Sequence, residues 1–473
     1  MQAGFAMLCA GSIRAKNVQN ILLKNLLDAC GGALGFYSIG YGLAYEGGDD
    51  DSSGTTFIGT ENYFFQYNLD DHIGWFFQFA FAATAATIVA GTVAERCKME
   101  AYVCYSFFLT AFVYPVVVHS VWDGHGFLSA FNPDSLWGVG MIDFAGSGVV
   151  HMTGGCTALV AAIVLGARIG RFADEDGKPL DEPMAFKPHS VSLQMLGTFL
   201  LWFGWYGFNP GSTLAITPLG CADIAALCAV TTTLAAATGC IGSLSVDFLV
   251  SYWITGEGVL DLSMAMNGTL SGLVAITAGC STVQPWAAVI IGLISGIVYF
   301  LASKTLIKLK VDDAVDAIPV HFANGIWGCI AVGLFADPTL VSAAYDTNEG
   351  GIFYGGGRLL ACQVCGILFI IGWVITLTLP FFLLLKTFGL FRVGSLEELV
   401  GCDVSHHGGS AYDIKGPPDG AVKTFESDRK SRLDHSGRST QSKGTIRTHT
   451  REENHSNDSG DNSACLHAED GVA

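Results

Sequence analysis

Charged residues are scarce in this chain: they make up 14% of its 473 residues, against 51% hydrophobic ones. That scarcity argues against the two or three soluble domains such a length would otherwise suggest, and makes a membrane protein the default reading. An excess of cationic residues is absent too. The 24 Lys and Arg face 42 Asp and Glu, and the formal net charge of −18 comes largely from outer loops and the carboxyl-terminal tail, so no nucleic-acid partner is expected. A disulfide framework is also missing, because the fourteen cysteines fall mostly inside apolar runs, where cysteine behaves as a small hydrophobe. Cys362 and Cys365 form a C-x-x-C, read on a membrane helix as structural rather than redox-active. The sequon at Asn267 lies inside an apolar run and those at Asn454 and Asn457 lie in the tail, so glycosylation is expected at none of the three.

Long apolar runs are what the chain has in quantity. They recur over the first 390 or so residues, and a helical span needs about 20 such residues. Ten full spans are expected, near residues 19–45, 73–94, 101–121, 144–169, 189–214, 219–249, 263–281, 285–307, 314–336 and 358–389. An opening run, "MQAGFAMLCAG", is about half a span by helical rise, and the first helix is expected to lack its front part.

Basic residues mark one set of alternate connections: Arg14 and Lys16; Arg96 and Lys98; Arg168, Arg171, Lys178 and Lys187; Lys304, Lys308 and Lys310; Lys386 and Arg392. These connections are expected to face the cytoplasm. The opposite loops, such as "WDGHGFLSAFNPDSLWGVGMID", are almost free of Lys and Arg. With a completed first span, the amino end lies outside and the carboxyl end inside.

Asp143 opens one span in "DFAGSGVVHMTGG" and His151 follows eight residues later, about 12 Å deeper and close to the middle of a core about 30 Å thick. "DAVDAIPVH", Asp313 to His321, repeats the spacing and the Val-His ending, but its helix enters from the cytoplasmic side. Two opposed helices that each bring a histidine to midplane are the signature of an inverted repeat, here spans one to five against six to ten, with a site at its interface. Ionisable groups inside a membrane span are functional candidates. Two facing histidines could also ligate haem or another metal. No third ligand set accompanies them, and their glycine-rich flanks suit close helix packing better than a bulky cofactor. Gln78 in "FFQFAF" and Asn209 in "FGWYGFNPG" add polar groups among aromatics.

"DFAGSGVVHMTGG", "FGWYGFNPGS", "GTVAERC" and "VDDAVDAIPVHFANGIWG" together resemble the Amt/Mep/Rh ammonium transporter family in its plant and algal type, over residues 1 to 415. The resemblance implies an all-α polytopic membrane protein with the eleven-helix ammonium transporter fold, and a homotrimer in the lipid bilayer with one pore per protomer and no cofactor. It implies a transmembrane domain over 1–392 and a cytoplasmic regulatory segment over 393–415; the tail over 416–473, polar with little apolar content, is expected to be disordered. His151 and His321 match the hydrogen-bonded pore pair, and Phe81 and Phe208 the phenylalanines that close the pore above it. Asp143, Ala145 and Ser212 match the outer recruitment site. Trp122 looks like the tryptophan that completes it, with Trp137 as runner-up. Gln78 and Trp205 match residues near the pore, and Asn209, Asp313 and Asp316 are expected to support them. In "EELVGCDVSHHGG", Gly401 matches a bend and Ser405 a hydroxyl phosphorylated in plant members, which implies a kinase as partner.

The implied chemistry is transport of ammonium and methylammonium, with no enzymatic step. Ammonium is nearly isosteric with potassium, so selectivity must use its protons. Aromatic faces can hold the cation as water is stripped, Ser212 can accept an N–H, and Asp143 can cap its helix and fix the vestibule. An apolar lining passes ammonia cheaply and a bare charge at great cost, while the histidines offer hydrogen-bond partners and a proton path. Two other readings stay open: an ammonium sensor signalling through the tail, and a bis-histidine haem protein. Glu397 and Glu398 are expected to pair with basic cytoplasmic connections.

Overall fold

The computed structural model describes residues 1–45, 54–65, 72–174 and 177–412. The most acidic part of the loop after residue 45, the sequons at Asn454 and Asn457, and the tail over 416–473 lie outside the described residues. Where the sequence predicts spans, helices form. They are α1 (Gln2–Ser12), α2 (18–45), α3 (His72–Thr92), α4 (Met99–Trp122), α5 (Ser147–Leu165), α6 (Val191–Phe208), α7 (Cys221–Thr255), α8 (Leu262–Ile276), α9 (Pro285–Lys308), α10 (Ile318–Phe335) and α11 (Arg358–Thr387). Seven are long and apolar enough to cross a membrane; α8, at 15 residues, is shorter. α1 has 11 residues. Two short helices, α12 (Ser395–Val400) and α13 (Cys402–His407), follow α11. Among the described residues, β-structure is limited to isolated bridges.

α5 is the most enclosed of these spans and α11 and α7 the least. The outer helices accordingly expose large apolar side chains such as Phe203, Leu249, Leu293 and Leu383, as helices solvated by hydrocarbon do.

The expected repeat is visible in how α5 and α10 meet. Gly155, four residues after His151, lies against the backbone of Phe322. Gly325, four residues after His321, lies against the carbonyl of Ser147 and against Met152. A Cβ at either position would fall within 2.7 Å of the other helix's backbone, so glycine is what lets the two helices touch. The acids that open them match as well. The Asp143 carboxylate accepts from Gly148 N at 2.9 Å and the Asp313 carboxylate from Ile318 N at 2.7 Å, each five residues on.

One feature departs from the sequence expectation of regular helices. Both histidine-bearing helices begin with a π turn, Ser147–Met152 and Ile318–Ala323. A π turn widens the helix and frees a carbonyl. In α10 the Pro319 carbonyl is taken up by Asn324 Nδ2 at 3.0 Å.

On the face where the basic connections lie, several charges are paired and buried. Glu95 pairs with Arg14 and, at 3.2 Å, with Arg168. Arg168 also binds Asp312 through two side-chain bonds at 2.8 and 2.9 Å. Burial alone would raise the Asp312 carboxyl, but Arg168 and Arg96 hold it well below the ordinary carboxylate range.

Candidate functional site

From the amino-terminal end of α5 along the helix, the predicted residues come together in one column. Asp143 sits just before α5, fully buried, and its carboxylate accepts from Gly146 N at 3.1 Å, Gly148 N at 2.9 Å and Val149 N at 2.8 Å. These are the N–H groups a helix start leaves unpaired. Its backbone carbonyl takes the Trp122 indole N–H at 2.6 Å. Trp122, at the end of α4, is thereby turned edge-on to Phe81, with ring centroids 5.7 Å apart at 86°. Gly146 makes room for it: its φ is 102°, and a Cβ there would stand 3.2 Å from the Trp122 ring. Trp137, the runner-up, lies on a turn at Leu136–Gly138 and is half exposed, away from this column.

Phe81 of α3 and Phe208 of α6 stack at 3.9 Å and 21°. Ser212, in the turn after α6, donates to the Phe208 carbonyl at 2.8 Å, and Asn209 Nδ2 donates to Thr232 Oγ1 at 2.9 Å. Ala145, fully buried, donates its N–H to the Thr277 carbonyl at 3.1 Å. Gln78 is one turn from Phe81, and its side-chain carbonyl is buried with no hydrogen-bond partner among the described residues.

Behind the stacked rings the two histidines meet. His151 Nδ1 and His321 Nδ1 are 3.2 Å apart, with ring planes 23° apart and both side chains buried. One nitrogen must donate and the other accept, so a single proton lies between them. The distance suits a direct hydrogen bond; a haem iron held from opposite faces at about 2 Å from each nitrogen would set them about 4 Å apart, so the pair does not fit haem ligation. Trp205 lies flat on His151 at 5.3 Å and 18°, held by its indole N–H on Thr277 Oγ1 at 2.9 Å.

Beyond His321, a cavity of about 20 Å³ is lined by Phe5, Leu8, Ile88, Leu270 and Val320. Through Asn267 and Val315 it adjoins a larger one of about 250 Å³ that reaches Asp313, Asp316 and Arg171. Asp316 accepts from Tyr299 OH at 2.9 Å and Ser303 Oγ at 3.0 Å. Asp313 and Asp316 therefore line the cavity on the far side of His321, away from the aromatic column.

Gly401 and Ser405 lie further out still, in the segment after α11. Gly401 has φ 111°, and a Cβ on it would stand 2.7 Å from Lys16. Burial pushes the Lys16 ammonium down to about 8, and its donors go to the carbonyls of Glu398 and Leu399. Asp403 accepts from Gln19 N and Asn20 N at the start of α2, at 3.0 and 2.9 Å. Ser405, half-buried, donates to the Gly401 carbonyl. Glu398 pairs with Arg392 at 2.8 Å, as expected. Glu397 does not reach a basic connection and accepts from Gly394 N instead, closing its own helix start.

The whole described chain up to residue 412 matches the model of the Ammonium Transporter Family. The chain belongs to the ammonium transporter family. Among relatives, it is 44% identical over 423 residues to ammonium transporter 1 member 1 of Arabidopsis thaliana, covering 86% of this chain and 81% of that one. It is 45% identical over 419 residues to ammonium transporter 1 member 1 of Oryza sativa subsp. japonica, at 86% and 81% coverage. Among solved structures it is similar to one titled Sensor Amt Protein, with TM-score 0.71, 32% identity and coverage of 86% of this chain and 94% of that one. Mep2 of Saccharomyces cerevisiae matches with TM-score 0.71 and 28% identity over 83% and 84%. The chain is thus an integral membrane protein of a transporter family.

Several residues in contact with the column were not singled out by sequence reasoning. Phe5 of α1 lies 6.0 Å from the His321 ring, Phe77 lies 4.7 Å from Phe81, and Thr277 holds both Trp205 and Ala145. Gln363 anchors the backbone beside Asp143. A signal for it existed, since an uncharged polar residue in the middle of "ACQVCG" stands out in a membrane span.

Proposed function

We propose that this chain carries ammonium and methylammonium across a membrane, recruiting the cation outside, removing a proton near the aromatic gate and passing ammonia along the twin histidines. The observation that carries this reading is the buried His151–His321 pair at 3.2 Å, directly behind the stacked Phe81 and Phe208. Trp122 and Phe81 offer ring faces to a cation, each worth about 0.5–2 kcal/mol. Ser212 accepts one of its N–H groups. Asp143 has its carboxylate committed to three backbone N–H groups, so its part is to fix the vestibule and its field rather than to touch the ion. Past Phe208 a bare cation would lose its hydration without replacement, whereas ammonia finds His151 and His321 as hydrogen-bond partners. Potassium has no proton to give up and stops at the gate.

In this reading the protein is a homotrimer in the plasma membrane with its amino end outside and its carboxyl end cytoplasmic. A kinase acting on Ser405 would place nearly two negative charges beside Asp403 and undo the docking on α2. Labelled methylammonium uptake by cells lacking their own ammonium transporters is the test. Uptake that ammonium competes away and potassium does not is expected; no uptake at normal surface abundance would contradict transport. That second result would favour a sensing role for the same site, a reading to which the similarity to Sensor Amt Protein lends weight.

A further inference from the structure

Gln363 is a fully buried amide on α11, about a turn and a half from its outer end. Its Oε1 accepts from Ile142 N at 2.9 Å, and its Nε2 donates to Ile142 O at 2.8 Å and to Cys329 O of α10 at 3.0 Å. The side chain thus pairs with both backbone groups of one residue, as a neighbouring strand would, while reaching the helix that carries His321. Ile142 is the residue before Asp143.

The peptides around it are anchored on other sides. Met141 N donates to Leu128 O at 2.6 Å, Phe144 N to Ala278 O at 3.0 Å and Ala145 N to Thr277 O at 3.1 Å. Gln363 supplies the hold from α11, and Gly366, one turn on, leaves the space that Met141 fills. What this segment presents to the site is the Asp143 carbonyl, whose bond to the Trp122 indole turns that ring toward Phe81.

We propose that Gln363 is a positioning residue for the outer cation site: by fixing the Ile142 peptide it sets the height of the Asp143 carbonyl, and through it the face Trp122 offers to the ion. The inference rests on the outer-site reading given under Proposed function. An apolar side chain at 363 leaves Ile142 N, Ile142 O and Cys329 O without this partner. Buried backbone groups in that condition move to find another. The shift reaches the ring that binds the cation and leaves the His151–His321 bond in place, so affinity changes more than turnover.

The test measures methylammonium uptake by the full chain against concentration, scaled to surface abundance, for Gln363→Leu, Gln363→Glu and Gln363→Asn. Thr378→Val is the control. Thr378 is a buried hydroxyl about four turns along the same helix, bonded to Val374 O of its own helix. A Gln363→Leu change is expected to raise KM about fivefold and to weaken the preference for ammonium over potassium, with the maximal rate within about twofold. Gln363→Glu is expected to stay near the parent, because a buried carboxyl takes its neutral form and keeps one acceptor and one donor. Thr378→Val is expected to match the parent. A parental KM in Gln363→Leu, a fall in maximal rate alone, or an equal KM rise in Thr378→Val would overturn the proposal. Should Gln363→Leu fail to reach the surface, Gln363→Asn, one methylene short of Ile142, must show the KM rise, and a parental value there overturns it. Trp122→Leu is run in parallel. If it raises KM and the Gln363 variants do not, the inference alone falls; if neither does, the outer-site reading falls and takes the inference with it.

Discussion

Asp143 and Gly146 show how tightly single residues constrain the outer site. The carboxylate holds three N–H groups at the start of α5, and the glycine three residues later adopts φ 102° beneath the Trp122 ring. Alanine at 146 would need a left-handed backbone, costing about 1–2 kcal/mol, and would press its Cβ on Trp122 and Val150. Gly146→Ala is therefore expected to lower uptake through a raised KM at near-normal surface abundance, measured by concentration-dependent methylammonium uptake. An unchanged KM would show that the Trp122 orientation does not matter. Much at this scale was legible in the sequence. The Asp-to-His spacing of eight pointed to both histidines and both capping acids, because helical rise converts it directly into depth. The choice between Trp122 and Trp137 was not legible, since it turns on a bond to a backbone carbonyl that leaves no mark on side-chain spacing. A lone amide in an apolar run marks Gln363, but its role turns on main-chain groups of residues 142 and 329.

At the scale of elements, hydropathy placed the spans to within about six residues at either end, because a bilayer demands apolar runs of a set length. The π turns at the heads of α5 and α10 were not foreseen, since apolar composition does not distinguish an i+4 ladder from an i+5 one. The charge knot that joins the α3–α4, α5–α6 and α9–α10 connections depends on pairing among residues far apart in sequence. Arg168 and Asp312 are nearly fully buried there. Removing one partner, as in Asp312→Asn, is expected to cost about 3 kcal/mol by leaving the buried Arg168 with only Glu95, which Arg14 also engages. The readout is a loss of thermal stability of the purified protein, and an unchanged melting temperature would contradict it. The sign with pH follows. The folded Asp312 carboxyl ionises at lower pH than in the unfolded chain, so its contribution is complete above the unfolded pKa and fades only as pH falls through the folded one. The segment after α11 is also held by specific contacts: Gly401 against Lys16, and Asp403 on the first turn of α2. Ser405→Asp is expected to lower uptake at unchanged surface abundance while Ser405→Ala does not. Equal uptake by both and the parent would remove the regulatory role and leave the pore reading intact.

For the whole molecule, α5 and α10 meet in opposite directions, and each supplies one acid cap, one π turn, one histidine and one glycine at matched positions. The site is thus a product of the repeat interface rather than of either half, and the account as a whole depends on the histidine pair discriminating by protons. The measurement that tests this most directly is the ratio of ammonium to potassium flux in His151→Ala and His321→Ala, each scaled to the protein folded at the surface. The account predicts that both variants alter transport and change that ratio while abundance stays close to the parent. A ratio identical to the parent's in both would contradict it.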